Sequence, residues 1–201
     1  MALYRRLSPA GGNEALDGAS DGRNESVHGS KTTRRLLTAG EVPPWYGHNS
    51  YIRTGYRPVT NSVKLCFESL GYVHNETLNI YTHLVPAGIA VVGNYGLYVY
   101  FSSHYPNASW RDQLVFHIYL STSIICYGIS AMYHTLLCHS ESWAGLWARM
   151  DYTAIVFQIL GSFISGIYIG FYCEPNLQKL YWTMVCHNCT LTFLISYIAD
   201  R

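Results

Sequence analysis

Apolar and polar positions divide this chain sharply. The first ~40 residues are rich in Gly, Ser, Asn, Asp and Arg. Such a stretch buries too little apolar surface to offset the entropy of ordering, so residues 1–40 read as a disordered tail. The remainder is dominated by apolar runs at about 79–101, 113–137, 152–172 and 180–198, none holding an Asp, Glu, Lys or Arg. About 20 helical residues cover a hydrocarbon core of about 30 Å. The pattern therefore predicts an all-α integral membrane protein with about four spans over 79–201. The fourth run is the weakest, because His187 and Asn188 sit in its middle. Residues 41–78 form a juxtamembrane segment, in which 60–71 read as a short amphipathic helix. Val63, Phe67 and Leu70 recur at helical spacing, Pro58 precedes them and Gly71 is a stop signal. That helix either lies along the membrane interface or packs under the bundle.

Averages conceal this division: mean hydropathy is +0.06 and net charge is +1. Nine of the 13 Lys and Arg residues precede residue 65, which predicts a cytosolic N-terminus. The connections 102–112, 138–151 and 173–179 then alternate outside, inside, outside. Asn107-Ala108-Ser109 is a glycosylation sequon in the first outside loop. No apolar stretch of signal-peptide type follows Arg5 and Arg6, and Glu14, Asp17, Asp21 and Glu25 argue against a transit peptide.

Polar groups inside a bilayer are costly and mark candidate sites. Ser130 and His134 share one helix face near the inner end of the second run. Asp151 opens the third run, which places it at a depth similar to His134. An imidazole beside a carboxylate suits a metal. Asn79, Thr82 and His83 open the first run, with Glu76 just outside it. Each has a plainer reading: an interfacial histidine more often snorkels or bonds backbone, and Asp151 could serve a helix N-terminus. Cys186-His-Asn-Cys189 is half of a zinc or redox motif without a second half. The six cysteines suggest no disulfide framework. Tyr98, Tyr100, Tyr168 and Tyr172 read as an interfacial belt, and Gly161, Ser165, Gly166 and Gly170 allow close helix approach. No phosphate loop, nucleophile elbow or nucleic-acid motif is present.

Several motifs in order resemble the progestin and adiponectin receptor family. They are Glu41-Val-Pro-Pro-Trp45, Tyr51-Ile-Arg-Thr-Gly-Tyr-Arg-Pro58 and Asn75-Glu-Thr-Leu-Asn79-Ile-Tyr-Thr-His83. Ser130-x-x-x-His134, Asp151-Tyr152 and the run from Gly161 to Cys173 continue the match, so the resemblance covers about residues 41–182. The wider group includes the hemolysin III-related proteins, and this chain looks like a fungal-type member.

The resemblance implies a seven-helix bundle with a cytosolic N-terminus, of which this chain is the part up to the fourth helix. It implies zinc near the cytosolic face, with His134 as the second-helix ligand and Ser130 and Asp151 as catalytic companions. The family's other two ligands, a His-x-x-x-His pair on the seventh helix, have no counterpart before Arg201, and His83 and His139 are the substitutes at hand. The implied roles are a signalling receptor in lipid and zinc homeostasis or a zinc-dependent hydrolase of ceramide-like lipid amides. The competing readings are a truncated, non-catalytic membrane fragment that at most associates with a full-length relative, and a small transporter or channel. The absence of an internal repeat and of acidic residues in the spans counts against the last. The implied partners are the bilayer, at the plasma membrane or endoplasmic reticulum, and a lipid ligand or substrate.

Overall fold

The computed structural model describes residues 35–46 and 49–199, with side chains to residue 195. The tail reading of residues 1–34 lies outside the described residues. Residues 35–40 are a correction, because they are folded: strand β1 (Leu37–Thr38) pairs antiparallel with β2 (Thr54–Tyr56). The Glu41 carboxylate fixes the turn after β1 by accepting from Thr38 N at 2.8 Å and Thr38 Oγ1 at 2.9 Å. Gly55 occupies the left-handed region at φ +88°, where a side chain would be strained. Its carbonyl accepts from Asn75 N at 2.9 Å, which ties the strand pair to the entrance of the bundle.

Helix α1 (Val63–Glu68) follows, capped at its N-terminus by Ser62 and prolonged by a 3₁₀ turn over Ser69–Gly71. Its buried face is Cys66 and Ser69, whereas Val63, Leu65 and Phe67 are exposed. The apolar stripe thus points away from the bundle, as an interface-lying helix requires.

Four long helices follow among the described residues: α2 (Thr77–His104), α3 (Trp110–Leu136), α4 (Glu141–Gly170) and α5 (Pro175–Ala199). Neighbours in sequence pack as neighbours in space and run up and down. Among the described residues α2, α3 and α4 are long and apolar enough to cross a membrane. Helix α5 has the length, but its central polar residues dilute it, as the sequence warned. Helix α3 opens with a capping box: Ser109 Oγ accepts from Arg111 N at 3.2 Å and Asp112 Oδ2 from Ser109 N at 3.1 Å. The serine of the sequon therefore has a structural task as an N-cap. Helix α4 begins eleven residues before the predicted span, at Glu141 rather than 152. Asp151 accordingly lies well inside a helix and not at its N-terminus.

Burial is distributed unevenly. The large buried residues form a cap at the end where α2 begins, α3 ends and α4 begins, comprising Val42, Tyr46, Tyr56, Cys66, Leu136, Leu137, Cys138 and Ala144. Within the bundle the buried residues are mostly small: Ala87, Ala90, Ser123, Ala131, Ala154, Gly161 and Ser165. Lipid tails are as apolar as leucine, so helices gain by close approach rather than by hiding large apolar groups. The tightest approach is at Gly161, where an added Cβ would come within 2.9 Å of Thr122 Cβ and nearer still to its two outer atoms. Replacing Gly161 by Ala is expected to destabilise the α3–α4 pair by about 1–3 kcal/mol. Thermal unfolding in detergent should show the loss, with Thr122→Ala restoring part of it in the double variant.

Candidate functional site

A buried arginine builds the site from below. Arg57 is 1% exposed. Its Nη1 donates to Ser69 Oγ at 2.8 Å and Thr135 O at 3.0 Å, and its Nη2 donates to His134 O at 2.6 Å. The last turn of α3 has carbonyls with no intrahelical donor, and a cation there satisfies both hydrogen bonding and the helix dipole. Arg57 thereby anchors the turn that carries His134.

Glu76, at the entrance to α2, supplies the facing carboxylate. Oε1 accepts from Asn75 Nδ2 at 2.7 Å, and Oε2 accepts from Asn79 Nδ2 at 2.8 Å and His134 Nδ1 at 2.9 Å. Burial pushes the Glu76 pKa up, but the bonds from His134 and Asn79 and the charges of His134 and Arg57 outweigh it and hold it below 4.5. An ionised carboxylate only accepts, so His134 Nδ1 carries a hydrogen, and in the neutral ring Nε2 keeps its lone pair. This is the arrangement by which a carboxylate orients a metal-binding imidazole. His74 has the opposite tautomer. Its Nδ1 accepts from Glu76 N at 3.1 Å, and burial, reinforced by the positive charge of Arg57, pushes its pKa down to about 4.

The remaining residues lie deeper. Gln158 Nε2 donates to Ser123 Oγ at 3.0 Å, Ser165 Oγ to Val115 O at 2.5 Å and Tyr168 OH to Asp112 Oδ1 at 2.6 Å. These pairs share one antiparallel register, which extended inward sets Asp151 opposite Ser130. Asp151 thus stands about 6 Å, one helical turn, further into the bundle than His134. The expectation of similar depth is corrected: it took Asp151 for a helix start, whereas α4 begins ten residues earlier. The His83 ring lies 6.0 Å from that of His134 and 5.8 Å from that of Tyr127, centroid to centroid. His83 Nδ1 and Asp151 Oδ1 are buried without a hydrogen-bond partner. Ser130 is buried at 5% exposure. His139 is apart from this group, stacked on Trp143 at 4.2 Å. Thr82 returns its hydroxyl to Leu78 O at 2.7 Å on the helix exterior.

Zinc held by protein alone needs three or four donors. Among the described residues no three His, Cys, Asp or Glu side chains are grouped to hold a metal ion. They supply one oriented imidazole and two unpartnered buried donor atoms, and do not close a zinc site. Sequence reading underrated Arg57, counted as one of the basic flank, and left Asn94 and His117 unmentioned. The latter two bond to each other between α2 and α3, and Asn94 Nδ2 also donates to Ser121 Oγ at 3.3 Å.

Comparison with known proteins gives a consistent picture. Residues 71–200 match the haemolysin-III related family. The adiponectin receptor protein of Drosophila melanogaster is 34% identical over 157 residues, covering 77% of this chain and 34% of that protein. The progestin and adipoQ receptor-like protein 1 of Caenorhabditis elegans is 35% identical over 152 residues, covering 75% and 34% respectively. The ADIPOR-like receptor IZH1 of Eremothecium gossypii is 33% identical over 169 residues, covering 82% and 53%. The chain thus spans about a third of the animal relatives and about half of the fungal one.

The two buried titratable groups set an acid response. A histidine whose folded pKa lies below 6.5 contributes stability at higher pH that is lost between 6.5 and about 4, here on the order of 3 kcal/mol at most. The depressed Glu76 contributes stability above 4.5 that is lost on further acidification. Thermal midpoints measured from pH 7 to pH 3 should fall in two limbs. His74→Asn, which keeps an acceptor near Nδ1, should remove the upper limb and Glu76→Gln the lower.

Proposed function

Because this chain belongs to the haemolysin-III related family, we propose that it is a receptor-like membrane protein whose Glu76–His134 pair contributes one ligand to a zinc site near the inner membrane face. The observation that carries this is His134 Nδ1 held at 2.9 Å by a buried carboxylate, which leaves Nε2 as the free donor. Among the described residues no group of three donors completes that site. Zinc held there would acidify a bound water, the chemistry that attack on an amide carbonyl requires.

What this chain's own residues do is more limited. Arg57 fixes the height of His134, Glu76 sets its tautomer, and Ser130 with Asp151 offers polar groups one turn deeper. A ceramide-like lipid amide, entering with its headgroup at the level of His134 and its tails among α2 to α4, is the substrate class in keeping with that placement. With the basic residues concentrated before residue 65, the N-terminus is assigned to the cytosol, in the plasma membrane or the endoplasmic reticulum.

A second reading is favoured by α5. Thr183, Cys186, His187 and Thr190 are exposed on one face in the middle of this 25-residue helix. Polar side chains facing lipid are costly, so this face calls for a covering helix. On this reading the chain is a non-catalytic membrane component that associates with a full-length relative.

Metal analysis of the native protein purified from its own membranes separates the two. The zinc reading expects zinc to co-purify with the protein, falling to background in His134→Ala and binding about 10–100-fold more weakly in Glu76→Gln. Zinc content unchanged by His134→Ala would overturn the zinc reading. A zinc-free wild-type protein that co-purifies with a longer relative would establish the second.

A further inference from the structure

Two thiols meet in the cap, outside the groups discussed so far. Cys66 is on the buried face of α1, and Cys138 is in the turn between α3 and α4. Both are completely buried, at 0% exposure, with their Sγ atoms 3.5 Å apart. They are 72 positions apart in sequence, so the contact is tertiary. The backbone holds the two segments in register: Thr60 N donates to Cys138 O and Asn61 N to His139 O, both at 3.0 Å. Thr60 Oγ1 lies 3.4 Å from Cys66 Sγ. The sulfurs touch but are unbonded, and a bond of about 2.05 Å needs an approach of about 1.5 Å, shared between two side chains.

We propose that Cys66 and Cys138 form a redox modification site, a dithiol that a peroxide converts to a disulfide tying α1 to the turn between α3 and α4. The electrostatics assign the roles. The hydrogen bond from Cys138, with that from Thr60 and the charge of Arg57, holds the Cys66 thiol below the usual thiol range against the cost of burial. The same contact, together with burial, raises Cys138. Cys66 is therefore the sulfur that ionises more readily, and the thiolate is the nucleophile.

Attack of Cys66 Sγ on hydrogen peroxide forms an S–O bond, breaks the O–O bond and releases hydroxide, leaving a sulfenic acid. Cys138 Sγ then attacks that sulfur, the S–O bond breaks, and the second oxygen leaves as water with the Cys138 proton. The two sulfurs are oxidised by two electrons in total and the peroxide is reduced. Burial makes the first step slow and dependent on opening of α1. The exposed thiols of Cys173 and Cys186 have no such barrier. The product closes a long loop and restricts the unfolded chain. It also locks the segment that carries Ser69 against the end of α3.

The test uses the full chain in detergent, treated with hydrogen peroxide, denatured, alkylated with N-ethylmaleimide and mapped without reduction by mass spectrometry. A Cys66–Cys138 linkage in most chains is expected, reversed by dithiothreitol and accompanied by a higher thermal midpoint. In Cys138→Ser the linkage should vanish and Cys66 should be trapped by dimedone as the sulfenic acid. Recovery of both cysteines as N-ethylmaleimide adducts after oxidation would overturn the proposal, as would linkage of Cys66 to another cysteine. The wild-type map decides the matter even if the serine variant fails to fold.

Discussion

The guanidinium of Arg57 at the open end of α3 is the interaction on which the cap depends. Three segments meet on it: the strand pair through its own backbone, α1 through Ser69, and α3 through the carbonyls of His134 and Thr135. Hydrogen bonds to a charged donor are each worth about 1.5–3 kcal/mol, and a cation at 1% exposure cannot be left with fewer partners cheaply. The compensating negative charge is Glu76, itself held by three donors. The site thus stands on a buried charge pair whose members never bond to each other and are linked through one histidine, by its carbonyl on one side and its ring on the other.

That cap and the bundle solve different solvent problems. The cap buries tyrosines, leucines and cysteines, as a water-soluble core does. The bundle buries mostly alanine, glycine and serine, with Ile80, Val115 and Ile167 beside them, and sends most of its large apolar side chains outward to lipid. Along the α3–α4 seam the buried polar groups satisfy one another or the backbone, as Ser165 does with Val115 O and Gln158 with Ser123. Where they do not, at Asp151 Oδ1 and Gln158 Oε1, the unpartnered atoms lie on the same face of α4 two turns apart. An acceptor in that position is matched by water or by a ligand's donor.

The long helices were legible because absence of charge over about twenty residues is a strong signal that needs no tertiary context. The start of α4 was not. Glu141, Arg149 and Asp151 end the apolar pattern, yet nothing in them opposes a helix, and Trp143, Ala144 and Trp147 find their burial in the cap instead of the membrane. The strand pair was invisible because two or three residues carry no periodicity, and its evidence lies in hydrogen bonds to distant partners. The stripe of Val63 and Phe67 marked a helix correctly, but which face is buried was decided by Cys66 and Ser69, whose partners lie elsewhere in the chain. His134 and Glu76 could be named from sequence as polar groups near one membrane face. Arg57 could not be told from its basic neighbours, since a count of charges does not distinguish a solvated arginine from one folded under a helix end.

Helix α4 has 30 residues, about 45 Å of helix set against a hydrocarbon layer of about 30 Å. The surplus stands on the side of the cap, where Ala144 is part of the cap's core and the two tryptophans pack against it. The apolar run of 152–172 by itself matches that layer, and the overhang carries Glu141, Arg149 and Asp151. The helix does not stop at the headgroups, because the overhang is fastened to the cap through Ala144, Trp143 and Trp147. Helix α4 is therefore a single strut that joins the membrane-embedded seam to the cap that holds His134.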